Sequence, residues 1–297
     1  SSIGIISPSG PISDVHKVRF EKGIETLRSM GFHTILYDHV YDQLGYLAGD
    51  DQNRVKDIKK AFLDNSTQAV AGSRGGYGLL RLLSLLKPEF FLPTPKIFFG
   101  FSDLIILSHY LYRLCNIPSL HAPVITQLSE VSEKSRETLV KLMNGEKVSF
   151  QAEKSSGNKN NVQGTILGGC LSVFISMLDT GIIPDNENII LFLEDTNEPY
   201  YKIDRMIQQL RLSKIYKNIQ SIVLGTFDHC SGNRLSSTGD STNHVLDLLS
   251  DFSGPILTGM KFGHEGDNIP FPLGIQAIVE TKEKTCTMLE SLCSGES

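Results

Sequence analysis

Ile97-Phe98-Phe99-Gly100-Phe101-Ser102-Asp103-Leu104-Ile105-Ile106-Leu107 begins as a strand and ends as a helix. The opening run is apolar and follows Pro93 and Pro95, the pattern of a strand buried on both faces. It breaks at Gly100-Phe101-Ser102-Asp103, and Leu104, Ile105, Leu107, Leu111 and Leu114 then recur at mixed helical spacing. A strand that turns into a helix over Gly-x-Ser lifts the serine hydroxyl above the sheet edge. It also aims the first N–H groups of the helix at whatever that hydroxyl attacks. A plainer reading stays open, in which Ser102 or Asp103 is only a helix N-cap. The usual hydrolase elbow has a second glycine two residues after the serine, and Leu104 stands there instead.

Outward from this stretch, strand and helix alternate. Ile3–Ile6, Thr34–Tyr37 and Gln68–Ala71 read as strands; helices are expected over 14–30, 50–63 and, briefly, 79–86. Such alternation predicts a parallel sheet with helices on its faces, and ligands then bind beyond the carboxyl ends of the strands. A strand over 117–123 and a helix over 133–143 follow. The stretch 151–161 is polar and aperiodic, so a surface linker is expected between a domain at 1–150 and a second at 162–297. In the second half, strands are expected at 162–167, 189–193, 221–225 and 255–258, helices at 171–178, 200–212 and 245–249, and a hairpin at 275–289. The fold class is therefore α/β, a parallel-sheet domain plus a smaller α/β domain with a mixed sheet.

The 297 residues are enough for two ordinary domains, and 40% hydrophobic with 21% charged residues describes a globular chain. A net charge of −5 without a basic run argues against nucleic acid. No apolar stretch is long enough to span a membrane. The sequence opens on Ser1-Ser2 and not on methionine, which leaves room for a trimmed leader. The five cysteines, Cys115, Cys170, Cys230, Cys286 and Cys293, include no Cys-x-x-Cys pair and fit reduced thiols of the cytosol.

Gly72-Ser73-Arg74-Gly75-Gly76-Tyr77-Gly78 follows the third strand. It matches neither a dinucleotide fingerprint nor a Walker loop, so no cofactor is expected. Two meanings remain: a run of N–H groups able to surround an oxyanion, or a tight turn needing positive φ. A serine nucleophile needs a base and a third group that orients the base. Of the eight histidines, His264 stands out because it follows Gly263 and opens a polar loop after a strand. His109, inside a helix, suits packing or solvent, and His121 sits at a strand end near prolines. Glu194 closes a buried strand, where a carboxylate is costly unless paired. Its plainer use is a salt bridge to Lys202 or Arg205; for His264 it is a loop hydrogen bond. No His-Glu-x-x-His or His-x-His spacing occurs, and no metal is expected.

Together, Arg74-Gly75-Gly76-Tyr77-Gly78, Gly100-Phe101-Ser102-Asp103, Gly164 to Gly169, Leu193-Glu194-Asp195 with Tyr201, Ile203, Asp204 and Arg205, and Gly263-His264 with Asn268 and Pro272-Leu273-Gly274 resemble the LD-carboxypeptidase family of serine peptidases. The likeness runs from about Ile3 to Glu290. It implies a flavodoxin- or amidotransferase-like nucleophile domain and a C-terminal domain carrying Glu and His. It also implies a cytoplasmic homodimer acting on murein tetrapeptides in cell-wall recycling, releasing terminal D-alanine from the L-centre of lysine or diaminopimelate. A related branch cleaves peptidyl-nucleotide antibiotics of the microcin C kind. By this resemblance Ser102 is the nucleophile, His264 the base and Glu194 its orienting partner. The backbone N–H of Asp103 and one from Gly75 or Gly76 form the oxyanion hole. Arg74 is assigned to the substrate's terminal carboxylate, since an exopeptidase needs a cation there; a solvent-facing loop arginine is the other reading. The chain departs from the family at Ile105, at Ala122 in place of Gly, and at Cys170 in place of Asn. A non-catalytic α/β binding module, holding an anion on the Gly-rich loop, is the alternative from another class.

Overall fold

Ten elements follow one another in the first half: β1 (Ser2–Ile6), α1 (Asp14–Ser29), β2 (His33–Leu36), α2 (Asp51–Leu63), β3 (Ala69–Gly72), β4 (Ile97–Gly100), α3 (Ile105–Cys115), β5 (Ser119–His121), α4 (Ile125–Leu128) and α5 (Glu133–Met143). They belong to a computed structural model that describes residues 1–157, 159–184, 187–232, 240–264 and 266–292. The five strands lie side by side as β5-β4-β3-β1-β2, all parallel. β3 is buried along its whole length, as a strand covered by helices on both faces must be. α1 buries Phe20, Gly23, Ile24 and Leu27. It approaches α4 so closely that a Cβ on Gly23 would stand 1.8 Å from the Ile125 carbonyl oxygen. The helix expected over 79–86 is a 3-10 turn, Leu79–Leu82. Short connectors take this tighter form.

The second half supplies β6 (Ser149–Gln151), β7 (Lys154–Ser156), β8 (Asn161–Cys170), α6 (Leu171–Ser176), β9 (Ile189–Thr196), α7 (Tyr200–Leu212), β10 (Ile219–Asp228), α8 (Ser241–Leu248), β11 (Ile256–Thr258), β12 (Phe271–Leu273), β13 (Gln276–Glu280) and β14 (Thr285–Met288). Eight of these strands form a mixed sheet in the order β6-β14-β13-β8-β9-β10-β11-β7. β8 to β11 are parallel, and the antiparallel hairpin β13–β14 extends one side. β6 and β7 sit at opposite edges, yet only Ala152 and Glu153 separate them. The Ala152 N–H donates to the Lys284 carbonyl at 2.8 Å and the Glu153 N–H to the Thr258 carbonyl at 2.9 Å. One continuous segment thus joins the two edges of the sheet.

That segment includes part of 151–161, which polarity alone marks as a linker. The structure differs there because edge strands are held by backbone hydrogen bonds and can carry polar side chains outward; Phe150 is buried between exposed Ser149 and Gln151. Asn158 lies outside the described residues, as do 233–239 of the polar stretch after Asp228, Glu265 and Cys293.

β12 crosses back and pairs antiparallel with β5, in the register Phe271↔His121, Pro272↔Leu120 and Leu273↔Ser119. The second half therefore completes the first half's sheet. Among the described residues, no helix is long and apolar enough to cross a membrane. Cys115, Cys170, Cys230 and Cys286 are buried free thiols.

Candidate active site

β4 ends at Gly100, and a 3-10 turn over Ser102–Leu104 leads into α3. Ser102 has φ of 61°, a left-handed conformation that costs a non-glycine residue about 1–2 kcal/mol. The turn is tight because Leu104 drops between two bare backbones. A Cβ on Gly72 would be 2.1 Å from Leu104 Cδ1, and one on Gly100 2.4 Å. Those two glycines explain why leucine fits where the usual elbow has glycine. The Asp103 side chain points away from the hydroxyl, accepting from Ser9 Oγ at 2.7 Å and from the Leu79 N–H at 2.9 Å. It thereby ties the nucleophile's turn to the Gly-rich loop.

Glu194 and His264 come to Ser102 from the second half. The Ser102 hydroxyl donates to His264 Nε2 at 3.1 Å, and His264 Nδ1–H donates to Glu194 Oε2 at 2.7 Å. Glu194 is fully buried near the end of β9. The salt bridges considered for it form elsewhere: Lys202 pairs with Glu198 at 3.6 Å, and Arg205 lies over the Tyr201 ring. The His264 loop is stapled to α4 and α5. Gln127 Nε2 donates to the His264 carbonyl at 3.1 Å, and Gln127 Oε1 accepts from Asn268 Nδ2 at 3.1 Å. Ser135 Oγ–H donates to the Asn268 carbonyl.

Electrostatics favour a charged carboxylate and a basic imidazole. Burial would raise the Glu194 pKa, but attraction to His264 and His121 outweighs it, and the carboxyl is held below its ordinary range. Burial works against the His264 cation, but the Glu194 charge and hydrogen bond prevail and raise the imidazole's pKa. Asp195 is pushed up to about 6 by burial and then by Glu194, while accepting N–H groups of Ser172 and Thr196 at 2.8 Å. Among the described residues one group of His, Cys and acid could hold an ion: Cys170, Glu194 and His264, with ligand atoms within 4.8 Å of one another. Glu194 and His264 are already engaged with each other, and burial raises the Cys170 thiol well above its usual pKa. A neutral thiol is a poor metal ligand.

Of the Gly-rich loop, Gly75 is the residue against the nucleophile: a Cβ there would stand 3.2 Å from Ser102 Oγ. Gly76, at φ of +112°, packs on Gly10 instead. Arg74 is half-buried over the turn after β1, where Nη1 donates to the Pro11 carbonyl at 3.5 Å. It makes no recorded hydrogen bond to Ser102, Glu194 or His264, and among the described residues no carboxylate pairs with it. Arg54, buried, donates to the carbonyls of Pro8 at 2.6 Å and Gly78 at 3.1 Å, fixing both loops that border the hydroxyl.

Three neighbours escaped sequence reading. His121 lies beside Glu194, Gln127 holds the His264 loop, and His109 accepts the Gly168 N–H at 3.2 Å. His109 is a fully buried neutral imidazole, its pKa lowered to about 4 by burial. None carried a usable sequence signal: it is the pairing of β5 with β4 that sets His121 opposite Gly100, at the edge of the elbow.

Residues 3–122 match the LD-carboxypeptidase N-terminal domain and residues 163–279 the LD-carboxypeptidase C-terminal domain. A putative carboxypeptidase of Synechocystis is 33% identical, over 96% of this chain and 93% of its own. The chain belongs to the LD-carboxypeptidase family. Another relative, the murein tetrapeptide carboxypeptidase of Pseudomonas aeruginosa, is 30% identical over 86% of this chain and 87% of its own. Among solved LD-carboxypeptidase folds, the muramoyltetrapeptide carboxypeptidase of Oxalobacter formigenes superposes with a TM-score of 0.84 at 28% identity, covering 97% of this chain and 98% of its own. The microcin C7 self-immunity protein superposes at 0.89 with 20% identity, covering 99% and 97%, a likeness of fold alone.

Proposed function

We propose that this chain is a serine LD-carboxypeptidase that removes terminal D-alanine from murein tetrapeptides through an acyl-enzyme. The observation that carries the proposal is the unbroken chain of hydrogen bonds from Ser102 through His264 to Glu194, in a member of this family. Ser102 Oγ attacks the carbonyl of the L,D bond as its proton passes to His264 Nε2. Glu194 stabilises the imidazolium that forms. N–H groups of Asp103 and of Gly75 or Gly76 receive the oxyanion. His264 then gives its proton to the departing amine, and D-alanine leaves. Water repeats the sequence on the acyl-serine, releasing the tripeptide and restoring the hydroxyl. Arg74, a half-buried cation without a carboxylate partner among the described residues, is assigned to the D-alanine carboxylate.

We place the enzyme in the cytoplasm, in keeping with four buried free thiols. A homodimer is proposed on the family resemblance alone, and light scattering checks it. The deciding assay uses L-Ala-γ-D-Glu-meso-diaminopimelate-D-Ala, with free D-alanine as the readout. Release by the wild type and loss of at least about 10⁴-fold in Ser102→Ala are expected. A second reading, cleavage of peptidyl nucleotides, draws on 23% identity to the Escherichia coli microcin C7 self-immunity protein over 99% of this chain. Hydrolysis of a peptidyl or aminoacyl adenylate analogue with little D-alanine release would favour it.

A further inference from the structure

Glu194 uses only one of its oxygens on His264. The other, Oε1, is buried without a hydrogen-bond partner among the described residues, and both ring nitrogens of His121 are likewise buried without one among them. These orphaned groups face each other: His121 Nε2 is 3.9 Å from Glu194 Oε1, and both side chains have zero exposure. An unmade hydrogen bond between buried groups leaves both desolvated without compensation, so a small ring or carboxylate rotation that closes the gap is favoured. His121 is also held edge and face. Phe271 stacks on it at 4.4 Å, while Phe101 and Phe262 meet it at 5.6 Å and 6.1 Å. Phe271 comes from β12, the strand the second half lends to the first sheet.

We infer that His121 is a positioning residue, the neutral Nε2–H tautomer donating to Glu194 Oε1 so that Oε2 stays aligned on His264. The opposite tautomer would set a lone pair against the carboxylate and leave an N–H unmatched. Burial lowers the His121 pKa, so the ring is neutral and carries a single proton to place. Other groups around the carboxylate do not replace this donor. Asp195 is itself an acceptor of N–H groups, and the Cys170 thiol lies against Asp195 Oδ1 at 3.5 Å. The inference deepens the catalytic reading of Ser102, His264 and Glu194 and rests on it.

Nitrogen-15 NMR of histidine-labelled full-length protein tests the tautomer without any substrate. The expected result is a protonated Nε2 and a pyridine-type Nδ1 for His121, unchanged across neutral pH, with the Nε2 signal moving in Glu194→Gln. Protonated Nδ1, or no response to Glu194→Gln, overturns the inference. Activity gives a second readout. His121→Phe keeps the ring stack but not the donor and should lower kcat about ten- to a hundredfold, with KM within about twofold, the scale on which outer partners of an oriented imidazole act. His121→Gln keeps an N–H near the Nε2 position and should restore most of the loss. Equal activity of both variants, or equal damage, contradicts the assignment. If the wild type releases no D-alanine, the proposed substrate fails, while the tautomer still decides the role of His121.

Discussion

Ser102 is held at φ of 61° by Gly72, Gly100 and Leu104 beneath it, so its hydroxyl is aimed before any substrate arrives. His264 acts as a base only when neutral, and its pKa is raised by Glu194. Activity should therefore fall with decreasing pH through a midpoint above the ordinary imidazole value of ~6.5. In Glu194→Gln the charge that raises that pKa is gone, so the acidic limb of kcat/KM should move to lower pH while kcat drops by roughly 10⁴-fold. A limb that stays in place would show that Glu194 does not control the imidazole. At this scale, Ser102, Glu194 and His264 drew notice because each closes a strand or opens a loop after one, but plainer uses stayed open at all three, and their roles came only with the family resemblance. His121 was not legible, since its meaning depends on a strand, β12, that arrives from 150 residues further along the chain.

The elements around the site are fixed by buried polar ties. Arg54 bonds the turn after β1 to Gly78, and Asp103 bonds Ser9 to Leu79. The Gly-rich loop is thus rigid beside the nucleophile, with Gly75 at contact distance. In Gly75→Ala the new Cβ would lie 2.9 Å from Ser102 Cβ, closer than side-chain carbons pack, so the hydroxyl or the loop must shift. Turnover should fall about a hundredfold or more, with thermal stability close to wild type. Unchanged turnover would mean that the loop does not face the reacting centre. Strand and helix alternation made the parallel sheet readable from sequence. The short strand β7 inside the polar segment 151–161 was not readable, because backbone pairing at a sheet edge leaves no apolar pattern.

Across the whole molecule, the two halves exchange parts: β6 begins at Ser149, before residue 151, yet pairs in the second sheet, and β12 belongs in chain order to the second half yet closes the first. Residues 1–150 expressed alone would leave β5, with His121, as a bare unpaired edge, a site for aggregation. That fragment should be insoluble or molten, and co-expression with 151–297 should recover it; a well-folded, monomeric fragment would show that β12 is dispensable. The proposed catalytic relay spans the same junction, Ser102 from one half and Glu194 and His264 from the other. Its most direct measurement is rapid-quench mass spectrometry with the diaminopimelate tetrapeptide. We expect a transient covalent adduct equal to the tripeptide acyl group, mapped to Ser102 and absent from Ser102→Ala. An adduct on another residue, or D-alanine release that persists in Ser102→Ala, would contradict the account.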